Sequence, residues 1–288
     1  MIKTYTHKDL EKDLNELNVP HKSIGKSLFG RDIFELTLGE GEKEILICGA
    51  HHGLEWLTPL LIVEFAKLYL KSLKSGLRLM GYNVSELFEI ASIHLVPMLN
   101  PDGIEIAAFG TRDPYLIKIN SGNDFCNTWQ SNGRGVDLNH NYDAGFYLSK
   151  KKELEMGIAS PCATRYGGTH PESEPETKAL CDYVRKHNFK LCIAYHSQGE
   201  VIYYDYNGFV PKNSYEILKA LCSESTYHPD KTHGIASYGG FKDWFIEKYN
   251  RPAYTVEIGM GKNPLSYTQF DDIVKKNIPL MLLASFLG

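Results

Sequence analysis

Strands alternating with helices predict an α/β fold with helices on both faces of the sheet. Two observations carry that prediction. Short continuous apolar runs (EKEILICGA, EIASIHLVP, LCIAYHS, RPAYTVEIG) suit strands buried on both faces. Between them lie segments with apolar residues at helical spacing, and the 288 residues contain no internal repeat or Pro/Gly/Ser-rich linker that would divide the chain. The expected organisation is therefore a single domain over residues 1–288, long enough to bury a large core.

In chain order, a first helix is expected at His7 to Leu17, then strands near Ser23–Phe29 and Asp32–Leu38. EKEILICGA follows as a strand ended by Gly49, and TPLLIVEFAKLYLKSL as a helix that tolerates Pro59 in its first turn. EIASIHLVPMLNPDG reads as a second buried strand that ends in an N-P-D-G turn, with His94 a satisfied core histidine. SEPETKALCDYVRKH opens with a capping-box pattern, Ser173 to Glu176, and continues as an amphipathic helix. LCIAYHS is a short strand ending at His196, and RPAYTVEIG another ending at Glu257. The last helix, SYTQFDDIVKKNIPLMLLASFL, begins with a second capping-box pattern, Ser266 to Gln269.

Composition narrows the function classes. A net charge of -4 gives no global basic field, which argues against duplex nucleic acid as the main partner. The charged N-terminal stretch forms no signal core, and no run reaches the roughly 18 apolar residues of a membrane span, so a cytoplasmic protein with no membrane partner is expected. Six scattered cysteines without a C-x-x-C pair suit reduced thiols in that compartment.

In open α/β sheets ligands bind beyond the carboxyl ends of the strands, where His52, Glu55, His196 and Glu257 are all expected. Two histidines and a glutamate make a ligand set for a catalytic zinc that leaves one position open, and a nearby carboxylate can serve as general base. On this scheme His52, Glu55 and His196 hold one zinc and Glu257 is the base, although the adjacent His51 leaves the register of the first ligand open. Taken singly, H-x-x-E is a weak pattern and a lone histidine is more often core; jointly, four such groups at the ends of buried strands are costly to place without a function. The polar segment TWQSNGRGVDLNHNYDAGF reads either as a long loop or as a substrate-side wall. In the second reading Arg134 donates to a developing oxyanion and Asp137 orients a ligating histidine from behind.

The ordered set GAHHGLEW, NPDG, GRGVDLNHNYDAGF, SEPET, YHSQ, GGFKDWF and TVEIG resembles the zinc metallocarboxypeptidases typified by pancreatic carboxypeptidase A. The resemblance implies a single-domain α/β/α sandwich with a mixed, mostly parallel sheet. It also implies the register in which His52 is the first ligand, Glu55 the second, His196 the third and Glu257 the base. Arg134 matches the oxyanion-stabilising arginine and Asp137 the aspartate behind the first histidine.

Departures from the family pattern bear on the substrate. Where family members carry Asn-Arg to clamp a free carboxylate, this chain has Asn139-His140, and an imidazole lacks the bidentate fork of a guanidinium. Lys242 falls at the position lining the pocket for the residue after the scissile bond, or else snorkels to solvent. The family's substrate-capping tyrosine aligns with Ile235, with Tyr238 nearby as a substitute. GVDLNHN with TVEIGMGKNP resembles the bacterial γ-D-glutamyl-L-diamino acid peptidases, which act on peptidoglycan stem peptides. The resemblance thus implies hydrolysis of the γ-D-glutamyl to meso-diaminopimelate or L-lysine amide bond in a muropeptide. The alternatives are a conventional carboxypeptidase trimming L-peptides, a catalytically silent zinc-binding muropeptide sensor, and an amide deacylase of related fold.

Overall fold

The alternation that splits the central strands between two faces is visible in their burial partners. Ile45 and Ile47 pack into one apolar cluster with Leu61, Phe65, Ile278 and Leu282, whereas Leu46 and Cys48 pack into another with Leu180, Val184, Trp244 and Phe245. Successive side chains of one strand therefore serve two cores, and helices must cover both faces.

The computed structural model describes residues 4–288. Its elements are α1 (His7–Leu17), β1 (His21–Lys26), β2 (Asp32–Leu38), β3 (Lys43–Gly49), α2 (Leu57–Ser75), α3 (Val84–Ile90) and β4 (Ala91–Val96). They continue with α4 (Pro101–Phe109), α5 (Pro114–Ile119), α6 (Phe125–Thr128), α7 (Phe146–Glu155), α8 (Pro175–Arg185), β5 (Leu191–His196) and β6 (Val201–Tyr203). The chain closes with α9 (Ser214–Ser225), β7 (His228–Asp230), α10 (Phe241–Tyr249), β8 (Ala253–Glu257) and α11 (Phe270–Leu287).

The strands form one eight-stranded sheet in the order β1-β2-β4-β3-β5-β8-β6-β7. Its centre, β4-β3-β5-β8, is parallel. The β1-β2 hairpin adds antiparallel to β4, and β6 adds antiparallel to β8. This is the mixed, mostly parallel α/β/α architecture. The parallel register sets Gly49 beside Tyr195 and His196 beside Glu257, so β3, β5 and β8 end together on one rim. Among the described residues no helix is long and apolar enough to cross a membrane. All six cysteines are free.

Four local expectations are corrected. The first strand is His21–Lys26, not Ser23–Phe29, because residues 27–31 turn around the buried Asp102. That carboxylate accepts from the Ser27 hydroxyl (2.9 Å), the Phe29 amide (2.8 Å) and the Arg31 guanidinium (2.6 Å). N-P-D-G is no free turn but the start of α4: Asn100 is its N-cap, Pro101 fills the first position, and Asn100 Oδ1 accepts from Gly103 N at 2.8 Å. Neither capping box forms. Glu176 turns away from the start of α8 to accept from Leu28 N (2.9 Å) and Asn132 Nδ2 (3.2 Å). Ser266 caps only a 3₁₀ turn, and the Gln269 amide instead binds both the N–H and the carbonyl of Met260, at 2.9 Å each.

Candidate metal centre and active site

The loop after β3 is held tightly. Ala50 N donates to Thr58 Oγ1 (2.9 Å), whose hydroxyl donates to Glu55 O (2.9 Å), so the first turn of α2 locks the end of the strand. Asn100 Nδ2 donates to His51 O at 2.9 Å from the other side. Gly53 is required by close approach: a Cβ there would lie 2.4 Å from Gly103 O and 2.8 Å from Trp129 O.

This loop delivers His52 and Glu55 to the strand rim, where His196 ends β5. His52 Nδ1 lies 2.9 Å from Glu55 Oε1, His196 Nδ1 lies 3.1 Å from Glu55 Oε2, and the two Nδ1 atoms are 3.3 Å apart. The donor atoms of the three residues all fall within 4.8 Å of one another, a set able to hold a metal ion. Two imidazole nitrogens converging on one buried carboxylate form the donor set that zinc prefers. Behind them, His52 Nε2 meets Asp137 Oδ1 at 3.1 Å. Asp137 is in turn fixed by the amides of Arg165 (2.8 Å) and Asn139 (3.2 Å). That chain of bonds fixes which nitrogen of His52 faces the cluster.

Electrostatics follow from burial and pairing. Burial alone would raise the Asp137 carboxyl, but His52 holds it well below the usual carboxylate range. Glu55 is likewise lowered against its burial by His52 and His196. For His52, burial works downward and is overcome by Glu55 and Asp137, which raise it well above the ordinary imidazole value. Glu257 moves the opposite way from its fellow acids: burial and the negative charge of Glu55 raise it well above the usual range.

The other expected residues are placed as follows. His51 is not part of this donor set: its Nε2 meets the Tyr142 hydroxyl at 2.9 Å and its ring stacks on His196 with centroids 5.1 Å apart. Glu257 and Asn139 line a cavity of about 350 Å³ together with Lys242, Asp243, Asp230 and His233. Lys242 does not snorkel. It is 3% exposed, and its ammonium donates to Asp205 O and to the Asp243 carboxylate. Asn139 Oδ1 accepts from Phe241 N (3.0 Å), which ties the polar loop to α10. His140 is buried beside this wall, its Nδ1 donating to Tyr238 O at 3.2 Å. Tyr238 meets His140 through that carbonyl, and its ring lies over Gly145. Arg134 is not drawn into the histidine cluster: its exposed guanidinium donates from Nε to the buried Glu174 at 2.9 Å.

Several participants carry no signal in a single sequence. Tyr142 on His51, the Arg165 amide on Asp137, and Asp205 on Lys242 are reached only through the fold. Asp243 had a sequence clue, since it adjoins Lys242 in GGFKDWF.

Comparison with known proteins identifies the family of the chain. The sequence model of the zinc carboxypeptidases matches residues 14–279. Gamma-D-glutamyl-L-diamino acid endopeptidase 1 of Lysinibacillus sphaericus is 33% identical over 269 residues, covering 92% of this chain and 66% of its own length. Uncharacterized protein YqgT of Bacillus subtilis (strain 168) is 31% identical over 297 residues, covering 99% of this chain and 78% of its own. The crystal structure of thrombin activatable fibrinolysis inhibitor superposes with a TM-score of 0.79 at 18% identity, covering 99% of this chain and 74% of that one. The chain thus spans just under two thirds of the length of the endopeptidase it matches.

Proposed function

The chain belongs to the zinc carboxypeptidase family and is a zinc metallopeptidase, and from that premise we propose that it hydrolyses the γ-D-glutamyl to diamino acid amide bond of peptidoglycan stem peptides. The observation that carries this reading is the 33% identity, over 92% of the chain, to a protein named as an endopeptidase for that bond. The cavity beside Glu257 supports it. Lys242, whose ammonium pairs with the Asp243 carboxylate, and Asp230 line it with groups of both signs, which suits the ammonium and carboxylate of a diamino acid.

In this reading His52, Glu55 and His196 hold the zinc. When bound, the metal supplies a Lewis acid that makes water more acidic and polarises the scissile carbonyl. The chain's own groups do the rest. Asp137 keeps the Nε2 proton of His52, leaving Nδ1 to face the metal position. Glu257, beside His196 in the sheet, has a raised proton affinity that equips it to take a proton at its carboxylate and pass it to the leaving amine. Asn139, Lys242 and, behind them, His140 and Tyr238 form the wall that positions the diamino acid. Arg134, anchored through Nε to Glu174, keeps its Nη groups for the developing oxyanion.

The decisive experiment incubates zinc-loaded protein with L-Ala-γ-D-Glu-meso-diaminopimelyl-D-Ala and identifies products by mass spectrometry. Release of diaminopimelyl-D-alanine is the expected outcome. An intact tetrapeptide, with trimming of C-terminal residues from ordinary L-peptides, would establish conventional carboxypeptidase action instead. For Arg134→Ala, kcat should fall with KM little changed; a lowered melting temperature with kcat intact would make Arg134 a brace for Glu174.

A further inference from the structure

A second donor set of the same composition lies at the opposite rim of the sheet. Glu44 near the start of β3, His94 in β4 and His187 just past α8 bring their ligating atoms within 4.8 Å of one another. Glu44 Oε1 is 2.7 Å from His187 Nδ1 and 3.7 Å from His94 Nε2. The expectation that His94 is a satisfied core histidine holds for only one of its nitrogens. Nδ1 is surrounded by the Tyr183 hydroxyl (2.6 Å), the Thr37 hydroxyl (3.3 Å) and the Glu35 carboxylate (3.4 Å). Nε2 has no hydrogen-bond partner, although His94 is only 5% exposed.

The Glu35 carboxylate and the Tyr183 hydroxyl, which can accept as well as donate, both suit a proton on Nδ1, and in that tautomer the lone pair of Nε2 faces the Glu44 carboxylate. Two acceptors facing each other in a largely buried site are costly unless a cation lies between them. A tetrahedral zinc with bonds of about 2.0–2.1 Å separates its donors by about 3.3 Å, which the observed 2.7 Å and 3.7 Å bracket. The outer groups already have the form seen around bound zinc, with Glu35 behind His94 and the Asn188 amide donating to Glu44 Oε2 at 2.5 Å. His187 and Glu44 keep side-chain exposures of 20% and 24%, which leaves a path for entry and for a water as fourth ligand.

We propose that Glu44, His94 and His187 form a second zinc site, structural in role, which pins β3 and β4 to the end of α8. Five residue steps of β3, about 16 Å at roughly 3.3 Å per residue, separate Glu44 from Gly49 and the catalytic loop. The site therefore stands apart from the peptidase chemistry and does not depend on its substrate.

The test is metal stoichiometry. Purified chain is equilibrated with micromolar free zinc, desalted, and its zinc measured by mass spectrometry against protein concentration. Wild type should carry two zinc ions, and His187→Ala and Glu44→Gln one each, with peptidase activity within a few-fold of wild type. His52→Ala should also carry one. Both substituted second-site residues are partly exposed, so their variants avoid the core disruption that His94→Ala risks. One zinc in wild type, or two in His187→Ala, overturns the proposal. Two zinc ions in His52→Ala with one in His187→Ala would instead overturn the catalytic ligand set and leave this site standing.

Discussion

Two carboxyls with raised proton affinity show how one physical cause gives two kinds of consequence. Glu257 is lifted by burial and by the charge of Glu55. As a base it must be ionised, so kcat/KM should fall as pH drops through its pKa. Glu257→Gln should retain zinc while kcat falls by roughly 10²–10⁴-fold, the contribution of a positioned base; retained turnover would assign the base elsewhere. Glu176 is pushed up to about 7 by burial, which outweighs its bonds to Leu28 N and Asn132. A carboxyl with a raised folded pKa keeps its full stability below its unfolded value and loses it as pH rises toward 7. The rise from 4.5 to about 7 corresponds to a penalty on the order of 3 kcal/mol above neutrality. Glu176→Gln should therefore change the melting temperature little at pH 5 and raise it at pH 8. Equal shifts at both values would contradict that origin.

At the scale of elements, the strands and long helices were legible because their signal is periodic and local. β3, β5 and β8 end where the apolar runs end, and α1 matches its expected bounds. What the sequence could not reveal is competition from distant partners. Glu176 satisfies Leu28 rather than its own helix start, and Asp102 draws in the turn that shortens β1. The site was legible to the same degree: His52, Glu55, His196 and Glu257 converge because strand ends are predictable. The turning of Arg134 to Glu174 depends on a loop whose packing has no period, and the pairing of Lys242 with Asp243 on how the first turn of α10 is buried. One junction allows a sharp check. Because a Cβ at position 53 would meet backbone oxygens of Gly103 and Trp129, Gly53→Ala forces α4 and the His52 loop apart. Its expected effect is a loss of at least about 1–3 kcal/mol, the usual range for overpacking, together with weakened zinc binding. Unchanged melting and zinc content would mean that the loop accommodates the methyl.

For the whole molecule, zinc is expected to act as a stabilising ligand rather than as the nucleus of folding. The sheet and its two apolar cores are continuous away from the donor residues, and the donors already pair with one another. Chelation should therefore leave secondary structure intact and lower the melting temperature reversibly, by an amount that tracks about 4 kcal/mol at a thousandfold excess over Kd. Circular dichroism showing a collapse of helix and strand content on chelation would refute this. The placement of Glu257 has a further consequence in time. Its strand pairs with β5 on one side and β6 on the other, and Ile258 N closes onto His196 O at 2.9 Å. The backbone bearing a ligand and the base can be exposed to solvent only by parting the sheet at its centre. Their amides should exchange deuterium at the rate of global opening, orders of magnitude slower than those of the loop over residues 231–240, which can breathe for substrate while the chemistry beneath it stays still.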